Sequence, residues 1–555
     1  MSRTNLLACC APIVAWGVIV SMPKTTAAAA QTFDYVKIAD ENTVVPGTSG
    51  IPFGTIFPPA LDGNTVAFMG MTAGPGDGVY KYQSGSLARV ADESTVLPGV
   101  LDSAFSFGFA PSLDASDVAF AAETFSGHAI FKQTASGLDP VAVTGVTSIP
   151  EGQGTFASFF SSMIPDVSFD NGNVAFRGSG AGGQSGIYVD VSTQQQLLPP
   201  GLYRVVDRSS SVPNRPADSF LGLFQHSVRD TTVVFHARLA SGGEGIYSAG
   251  IVGSGYALVE LEFDNSIGTT LGPPSFDGAA YARFLEAPRS GQDIVLKDLT
   301  GATVRTVANT LSTNIPEGSG RFTNLEPAQV SFDNGSVAFL GRGSSGQEGI
   351  YTEVGGTLVK VVDKGDQLDG KQVRSVILLE EGFSDGNVGF FASLDSGFEG
   401  ANYVAIQRHV WDAASGLWDT KTNWAFGGLP RNVVPTLITP DNGIVITGPA
   451  NPASIRSLDI GALTSGVAQL NLRAGGHLTI DETLTVRAAG RIDVGGALVV
   501  RGGIVNDGVI TGSGQVDGVL QNTAGGQVRT GSGARLLFTA NNPNSNAGHM
   551  ESRGG

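Results

Sequence analysis

Two stretches of the chain are nearly identical: VSFDNGNVAFRGSGAGGQSGIY from Val167 to Tyr188, and VSFDNGSVAFLGRGSSGQEGIY from Val330 to Tyr351. Looser copies begin at Leu61, Leu113, Val228, Phe276 and Phe383. The copies are about 50 residues apart, which is typical of repeat architectures. Each copy can be aligned on one aromatic residue, and these anchors are Phe68, Phe120, Phe176, Phe235, Tyr281, Phe339 and Phe390. The repeat therefore predicts seven similar structural units.

One copy shows how a unit is built. Residues 166–169 form a first short strand, and Asn171-Gly172 then supplies the dipeptide that favours a tight hairpin turn. A second strand over 173–177, a third over 186–189 and a fourth over 202–207 follow. Four antiparallel strands repeated in tandem predict the blades of a β-propeller. A parallel solenoid is the alternative for repeats, but the hairpin turn inside each unit argues against it here.

The two ends of the array are complementary. The fourth strand of the first full repeat continues as ARVADESTVLPG over 88–99, and VKIADENTVVPG over 36–47 repeats it without strands one to three before it. The seventh repeat has the opposite defect, because it stops after 403–406 without a fourth strand. We therefore predict a closed seven-bladed propeller over residues 31–409. Closure would also remove the exposed edges of an open array.

The sequence changes character after the propeller. Residues 410–465 are rich in Trp and Pro and predict a connecting and capping segment. From residue 466 to 555 short apolar alternations such as LTVRAAGRIDVGG are broken by Gly-rich corners. Coils this short predict a right-handed parallel β-helix, a solenoid that stacks its inward Leu, Val and Ile. The predicted fold class is thus all-β.

The beginning of the chain and its composition indicate where the protein is located and which partners it could bind. Residues 1–30 combine Arg3, an apolar run and Ala28-Ala29-Ala30, a pattern typical of a signal peptide. Cys9 and Cys10 both lie in that segment, so the mature chain would have no disulfide or thiolate chemistry. The net charge of −17 argues against nucleic acid and anionic membranes, which select basic surfaces.

The whole chain resembles bacterial exported proteins that join a propeller-like array to an autotransporter-type β-solenoid. The resemblance rests on the repeat motifs and on the Trp411-Asp412, Gly416-Leu417-Trp418 and Asn423-Trp424 segment. Many such proteins end in a PEP-CTERM sorting tail, which this sequence lacks. The resemblance implies a secreted or outer-surface location, without a transmembrane segment after signal cleavage. An uncapped last coil beyond about Leu520 would also favour self-association.

Several groups of residues have side chains that could take part in catalysis or metal binding. The aspartates that precede the anchors could form a ring that binds Ca²⁺ or acts as acid and base, and these are Asp62, Asp114, Asp170, Asp230, Asp277, Asp333 and Asp385. Asp-x-Gly and Asp-Asn-Gly are also what hairpin turns require, and no EF-hand ligand spacing is present. The six histidines form no zinc signature. We therefore predict turn residues here, with no catalytic, cofactor or metal residues.

The tryptophans offer the remaining candidate site. Trp411, Trp418 and Trp424 could stack on sugar rings, or they could cap the solenoid by burying their large apolar rings. The sequence favours capping.

We interpret the protein as a non-enzymatic structural or binding protein whose propeller is the interaction face and whose solenoid is a stalk. Its partner would be a polysaccharide or an envelope or extracellular protein. The alternative is an extracellular glycosidase or polysaccharide lyase with its site at the propeller mouth, since a fold alone assigns no chemistry.

Overall fold

A computed structural model describes residues 33–100, 105–108, 111–159, 167–192, 198–266, 268–288, 290–395, 399–424, 429–430, 435–440, 442–461, 466–531, 534–539 and 543–552. The predicted signal peptide with Cys9 and Cys10 lies outside these residues. The described chain is all-β, with seven antiparallel sheets followed by three parallel sheets and one short 3₁₀ helix at Lys421–Asn423. Among the described residues, no helix has the length and apolar character needed to cross a membrane.

The antiparallel sheets are the seven blades of a propeller. The first described strand is β1 (Phe33–Asp40). Blade 1 contains β2 (Phe53–Ile56), β3 (Ala60–Asp62), β4 (Thr65–Thr72), β5 (Gly78–Gln83) and β6 (Ser86–Asp92). Blade 2 contains β7 (Phe105–Gly108), β8 (Ser112–Asp114), β9 (Asp117–Thr124), β10 (Gly127–Thr134) and β11 (Gly137–Val143). Blade 3 contains β12 (Phe156–Ser158), β13 (Val167–Asp170), β14 (Asn173–Gly180), β15 (Ser185–Val191) and β16 (Gly201–Asp207).

The remaining blades follow the same order. Blade 4 contains β17 (Phe220–Arg229), β18 (Thr232–Leu239), β19 (Glu244–Val252) and β20 (Gly255–Asp264). Blade 5 contains β21 (Thr270–Leu271), β22 (Ser275–Phe276), β23 (Ala280–Ala287), β24 (Gly291–Asp298) and β25 (Thr303–Asn309). Blade 6 contains β26 (Phe322–Asp333), β27 (Ser336–Gly343), β28 (Glu348–Val354) and β29 (Thr357–Asp363). Blade 7 contains β30 (Gln367–Leu368), β31 (Lys371–Ile377), β32 (Phe383–Ser384), β33 (Asn387–Leu394) and β34 (Glu399–Gln407).

The seventh blade takes its outermost strand from the other end of the domain. β1 pairs antiparallel with β34, with Phe33 opposite Gln407 and Asp40 opposite Ala401. The blade therefore has four main strands like the others, with β1 as its outer strand beside β34.

Each blade has an inner strand a, followed outward by strands b, c and d. The a–b and c–d turns lie at one end of the propeller, which we call the hairpin face. The b–c turns and the connections from strand d to the next blade lie at the other end, which we call the connection face. Strand c of blade 7 ends on the hairpin face, and the chain continues from there into the solenoid.

Aromatic side chains fill the middle of most blades. Five blades bury three rings from strands a, b and c, with centroid separations between 4.8 and 6.4 Å. These triads are Phe53/Phe68/Tyr80, Phe105/Phe120/Phe131, Phe156/Phe176/Tyr188, Phe220/Phe235/Tyr247 and Phe322/Phe339/Tyr351. Edge-to-face packing of buried rings adds to the stabilisation from their area.

Three parallel sheets form the solenoid, whose regular part makes about five turns. The first sheet contains β35 (His409–Val410), β37 (Pro435–Ile438), β40 (Ser457–Ile460), β43 (Thr483–Val486), β46 (Gly503–Asn506), β49 (Leu520–Asn522) and β52 (Ser545–Asn546). The second contains β36 (Gly416–Leu417), β38 (Ile444–Thr447), β41 (Ala468–Leu472), β44 (Gly490–Val494), β47 (Val509–Gly512), β50 (Gln527–Thr530) and β53 (His549–Ser552). The third contains β39 (Ala453–Ile455), β42 (His477–Ile480), β45 (Ala497–Val500), β48 (Gln515–Asp517) and β51 (Leu537–Phe538).

The solenoid ladders start earlier than the composition suggested. β35 and β36 already pair in parallel with β37 and β38, so the Trp- and Pro-rich segment contributes strands to the solenoid. Inside the coils, Leu, Ile and Val at alternate positions form one continuous core. A buried ladder of asparagine side chains runs through the last coils, where Asn506 donates to Asn522 (2.7 Å) and Asn522 donates to Asn546 (2.7 Å).

Candidate functional site

The a–b turns of all blades surround the central channel on the hairpin face. In blade 3 the last residue of the inner strand, Asp170, pairs with Asn173, and Asn171-Gly172 form the turn. The pairing of the other blades places at this ring position Asp62, Asp114, Asp170, Arg229, Asp277, Asp333 and Ser384. The ring thus holds five aspartates, one arginine and one serine.

The alternative of a ring of seven aspartates therefore does not hold in two blades. Asp230 and Asp385 lie one residue later, within the turn itself, with φ of 51° and 52°. Aspartate and asparagine tolerate this left-handed conformation better than most residues because their side chains bond locally. Their presence in the turn is what made the two blades look like the others in the sequence.

The ring carboxylates hold neighbouring blades together. Asp114 accepts a hydrogen bond from the backbone N–H of Gly172 in the next blade (2.9 Å), and Asp333 accepts one from Asp385 (2.8 Å). Asp277 accepts likewise from Gly335 (3.0 Å). The corresponding bonds of the other two acids join Asp62 to Ala115 and Asp170 to Asp230. Hydrogen bonds to ionised carboxylates are strong, so these contacts act as latches between blades.

Arg229 provides the positive charge of the channel mouth. Its Nε lies 4.0 Å from Asp170 Oδ1. Burial lowers the pKa of Arg229, but the surrounding carboxylates of Glu381, Asp170 and Asp333 more than compensate and raise it overall. The Arg229 guanidinium therefore interacts electrostatically with several carboxylates, which limits the repulsion between them in the channel.

Glu381 enters the channel from a loop of blade 7. Its Oε1 accepts a hydrogen bond from Ser168 Oγ in blade 3 (3.3 Å), and its carbonyl oxygen accepts one from the backbone N–H of Leu61 in blade 1 (2.8 Å). Burial raises the pKa of Glu381, and the charge of Arg229 opposes the rise. Burial likewise raises the pKa of Asp114, Asp170 and Asp333. The two hydrogen bonds of Glu381 show that its loop spans the channel and ties blade 7 to blades 1 and 3.

The space left at this mouth is small. The cavity between the ring residues and Glu381 has a volume of about 110 Å³. Sites for organic ligands are usually about 300–1,000 Å³, so this mouth has room for a few waters but not for a sugar ring. Among the residues that the structure describes, no group of three or more His, Cys, Asp or Glu side chains is arranged to hold a metal ion.

Blade 5 departs from the aromatic pattern. Pairing of Phe276 with Tyr281 places Tyr281 two residues before the anchor position, which is occupied by Arg283. The predicted anchor at Tyr281 is therefore wrong, although this ring is also buried. Arg283 is 1% exposed and forms an ion pair with Glu262 on the last strand of blade 4. Lys297 Nζ lies 3.0 Å from the same carboxylate, so a buried charged cluster replaces the aromatic triad.

The three tryptophans lie inside the solenoid core. Trp411 and Trp418 each pack edge-on against Trp424, with ring centroids 4.9 and 4.8 Å away. All three rings are buried, and Trp424 Nε1 donates to the carbonyl oxygen of Trp418 (2.8 Å). No ring face is open to a sugar, so the stacking interpretation does not fit this structure. The rings instead cover the first coils of the solenoid.

The connection face carries a different feature. Apolar side chains of blades 7, 1 and 2 project into solvent from the connections at Val44, Val96 and Val146 and from the b–c turn at Phe125. Val96 and Phe125 are the most exposed, at 78% and 77%. Glu93 and Glu123 are exposed beside them. Isolated apolar residues on a surface need no explanation, but these four recur on consecutive blades of one face. The sequence repeats gave no sign of this arrangement, because the four positions lie outside the repeated strand motifs.

The fold and these sites define a closed seven-bladed propeller with latched turns, joined to a parallel β-solenoid. Residues 34–263, less than half of the chain, match a family described as a family of unknown function (DUF7453). No curated protein matches the chain.

Several solved structures share the propeller fold at low similarity. One is a puromycin-hydrolyzing peptidase from Mycobacterium tuberculosis (12% identity, TM-score 0.39), with 64% of this chain and 51% of that chain covered. Another is the propeller domain of the Trilobed protease from Pyrococcus furiosus (10% identity, TM-score 0.29; 64% and 86% covered). A third is the WD40 domain of SCAP from fission yeast (12% identity, TM-score 0.34; 68% and 88% covered). The chain spans about half the length of the peptidase. Similarity at this level carries no information about activity.

Proposed function

We propose that this chain is an exported binding protein without enzymatic activity, in which the solenoid carries the propeller and the connection face binds a protein partner. The observation that carries the proposal is the row of exposed apolar side chains at Val44, Val96, Phe125 and Val146 on the connection face of consecutive blades. The solenoid leaves the propeller from the opposite, hairpin face, so the stalk does not cover this row.

The chemistry of the row favours a protein over a polysaccharide. Sugar-binding faces use flat aromatic platforms, whereas three of the four residues in this row are valines and Phe125 is the one aromatic ring. Apolar side chains beside the carboxylates of Glu93 and Glu123 suit a partner with apolar pockets surrounded by basic residues. The net charge of −17 likewise favours association with basic partners.

The channel mouth supports a non-enzymatic role. Its aspartates are engaged by backbone N–H groups of the next blade, and the cavity of about 110 Å³ is too small for a saccharide. Acid and base residues of a glycosidase would need free access to substrate on both sides of a bond.

The test compares the wild-type protein with Val96→Ser/Phe125→Ser and with the control Val252→Ser/Val304→Ser. The control removes two apolar side chains that are also well exposed, at 67% and 57%, but lie away from the connection face. Each protein is immobilised, exposed to extracellular and envelope protein fractions, and analysed by quantitative mass spectrometry. A partner retained by wild type and control but lost by the face variant supports the proposal. Glycan-array binding or polysaccharide cleavage by all three proteins would overturn it and favour the enzyme alternative.

A further inference from the structure

The boundary between blades 7 and 1 contains a cavity of about 450 Å³ that the other features do not explain. It lies near the hairpin face, below the first coils of the solenoid. Its walls are aliphatic side chains from both blades: Val36, Ile38, Leu61, Val66, Val404 and Ile406. Five of these six residues are less than 9% exposed even though they face the cavity, so the cavity extends below the protein surface.

The strand c residue at this boundary differs from its counterparts in blades 1 and 2. Lys81 and Lys132 follow the strand c aromatics of blades 1 and 2, and each reaches into the next blade. Lys81 Nζ lies 2.7 Å from the carbonyl oxygen of Ser116, and Lys132 Nζ lies 3.5 Å from that of Gly172. In blade 7 the residue after the strand c aromatic is Val404. A valine is too short to reach the next blade, so the space that the lysine stems occupy after blades 1 and 2 stays open here.

The solenoid supplies the rim of this cavity. Asn64 lies in the a–b turn of blade 1, at the position equivalent to Ser116 in blade 2 and Gly172 in blade 3. Arg456 of the solenoid donates a hydrogen bond to Asn64 Oδ1 (3.1 Å). Arg456 also forms an ion pair with Glu482 (2.9 Å). Ser84 and Tyr82 complete the polar edge. The rim thus offers donors and acceptors without net charge, above an apolar interior.

We infer that this cavity binds a neutral amphiphile, with its alkyl chain among the valine and isoleucine walls and its hydroxylated head at the rim. The volume lies in the range of small-molecule sites, which are mostly apolar with a few polar groups at one end. A charged head would have to separate the Arg456–Glu482 pair or remain unpaired beside it, and both are unfavourable. An alkyl chain of about eight carbons would gain dispersion contacts with these aliphatic walls.

The test uses three ligands with the same eight-carbon chain: octyl glucoside below its micelle concentration, octanoate and octylammonium. Binding to the full chain is measured by isothermal titration calorimetry. The inference predicts saturable one-to-one binding of octyl glucoside, at least tenfold tighter than that of either charged ligand. Val404→Lys restores the residue type of blades 1 and 2 and should fill the cavity, so octyl glucoside affinity should fall at least tenfold while the thermal transition is kept.

Val304→Lys serves as the control, because Val304 is exposed on the outer strand of blade 5. It should bind octyl glucoside like wild type. Should Val404→Lys fail to fold, Leu61→Trp fills the same space from the blade 1 side and gives the same readout. The inference is overturned by absence of saturable binding, by equal binding in the filled variants, or by preference for octanoate or octylammonium. None of these results bears on the connection face, which lies at the other end of the propeller.

Discussion

Asp34 in β1 forms an ion pair with Arg408, which lies 374 residues further along the chain. Arg408 separates strand c of blade 7 from the first strand of the solenoid, so this pair joins ring closure and the domain junction. The backbone ladder between β1 and β34 runs beside it over the whole length of β1. The closing strand is therefore held by main-chain bonds and by a charged pair at its end.

Removal of the closing strand should disrupt the whole propeller. Deleting residues 33–40 leaves β34 as an exposed edge and removes the buried side chain of Phe33. We expect the propeller to lose its single sharp calorimetric transition and to unfold at a markedly lower temperature. Deleting residues 549–552, a strand at the far end of the solenoid, should leave that transition in place. An unshifted, sharp transition in the first deletion would show that closure does not stabilise the ring.

The aromatic triads predict which single substitutions are costly. Phe176→Ala and Phe339→Ala each remove a fully buried ring that packs against at least two others, and should cost about 3–5 kcal/mol in the free energy of unfolding. Phe125→Ala removes the same group from an exposed turn and should change stability by less than about 0.5 kcal/mol. Urea titrations of the three variants measure the difference. Equal effects at buried and exposed positions would contradict the packing.

The charged cluster of blade 5 gives a different pattern. Arg283→Ala leaves the Glu262 carboxylate with Lys297 alone in a buried setting, and should cost about 3–5 kcal/mol. The triple substitution Arg283→Phe/Glu262→Gln/Lys297→Met restores the ring found in other blades and removes all three charges of the cluster. It should recover most of the lost stability in the same urea titration. If the triple variant is no more stable than Arg283→Ala, the cluster has a role that an aromatic ring cannot replace.

Asp363 should make stability depend on pH. Burial raises the pKa of Asp363 to about 6, and the nearby charge of Asp366 adds to the rise while Lys360 opposes it. A carboxyl group whose pKa rises on folding binds its proton more tightly in the folded state, so stability falls as the pH increases from about 4 to about 6. Asp363→Asn does not titrate, and its stability relative to wild type should therefore increase between pH 4 and pH 7. Gln367→Asn, an exposed neighbour, should follow wild type at both pH values. A pH-independent difference for Asp363→Asn would refute the assignment.

The repeats predicted the fold class correctly, because propeller blades and solenoid coils both produce a sequence pattern that recurs at regular intervals. The exceptions were harder to find. Tyr281 is aromatic and Asp230 is acidic like their counterparts in the other repeats, but strand pairing places Arg283 and Arg229 at the equivalent positions. Only the register between strands distinguishes these cases. The cavity beside Val404 could not be predicted, since it depends on what two blades and the solenoid leave unfilled.

Site-specific photocrosslinking tests most directly whether the connection face binds a protein partner. A benzophenone amino acid is placed at Phe125 on that face and, as the control, at Val304 on the outer strand of blade 5. The proteins are irradiated in the extracellular and envelope fractions, and crosslinked products are identified by mass spectrometry. We predict a discrete protein adduct from position 125 that is absent from position 304 and is suppressed by Val96→Ser in the same chain. No adduct at position 125, or the same adducts at both positions, would contradict the account.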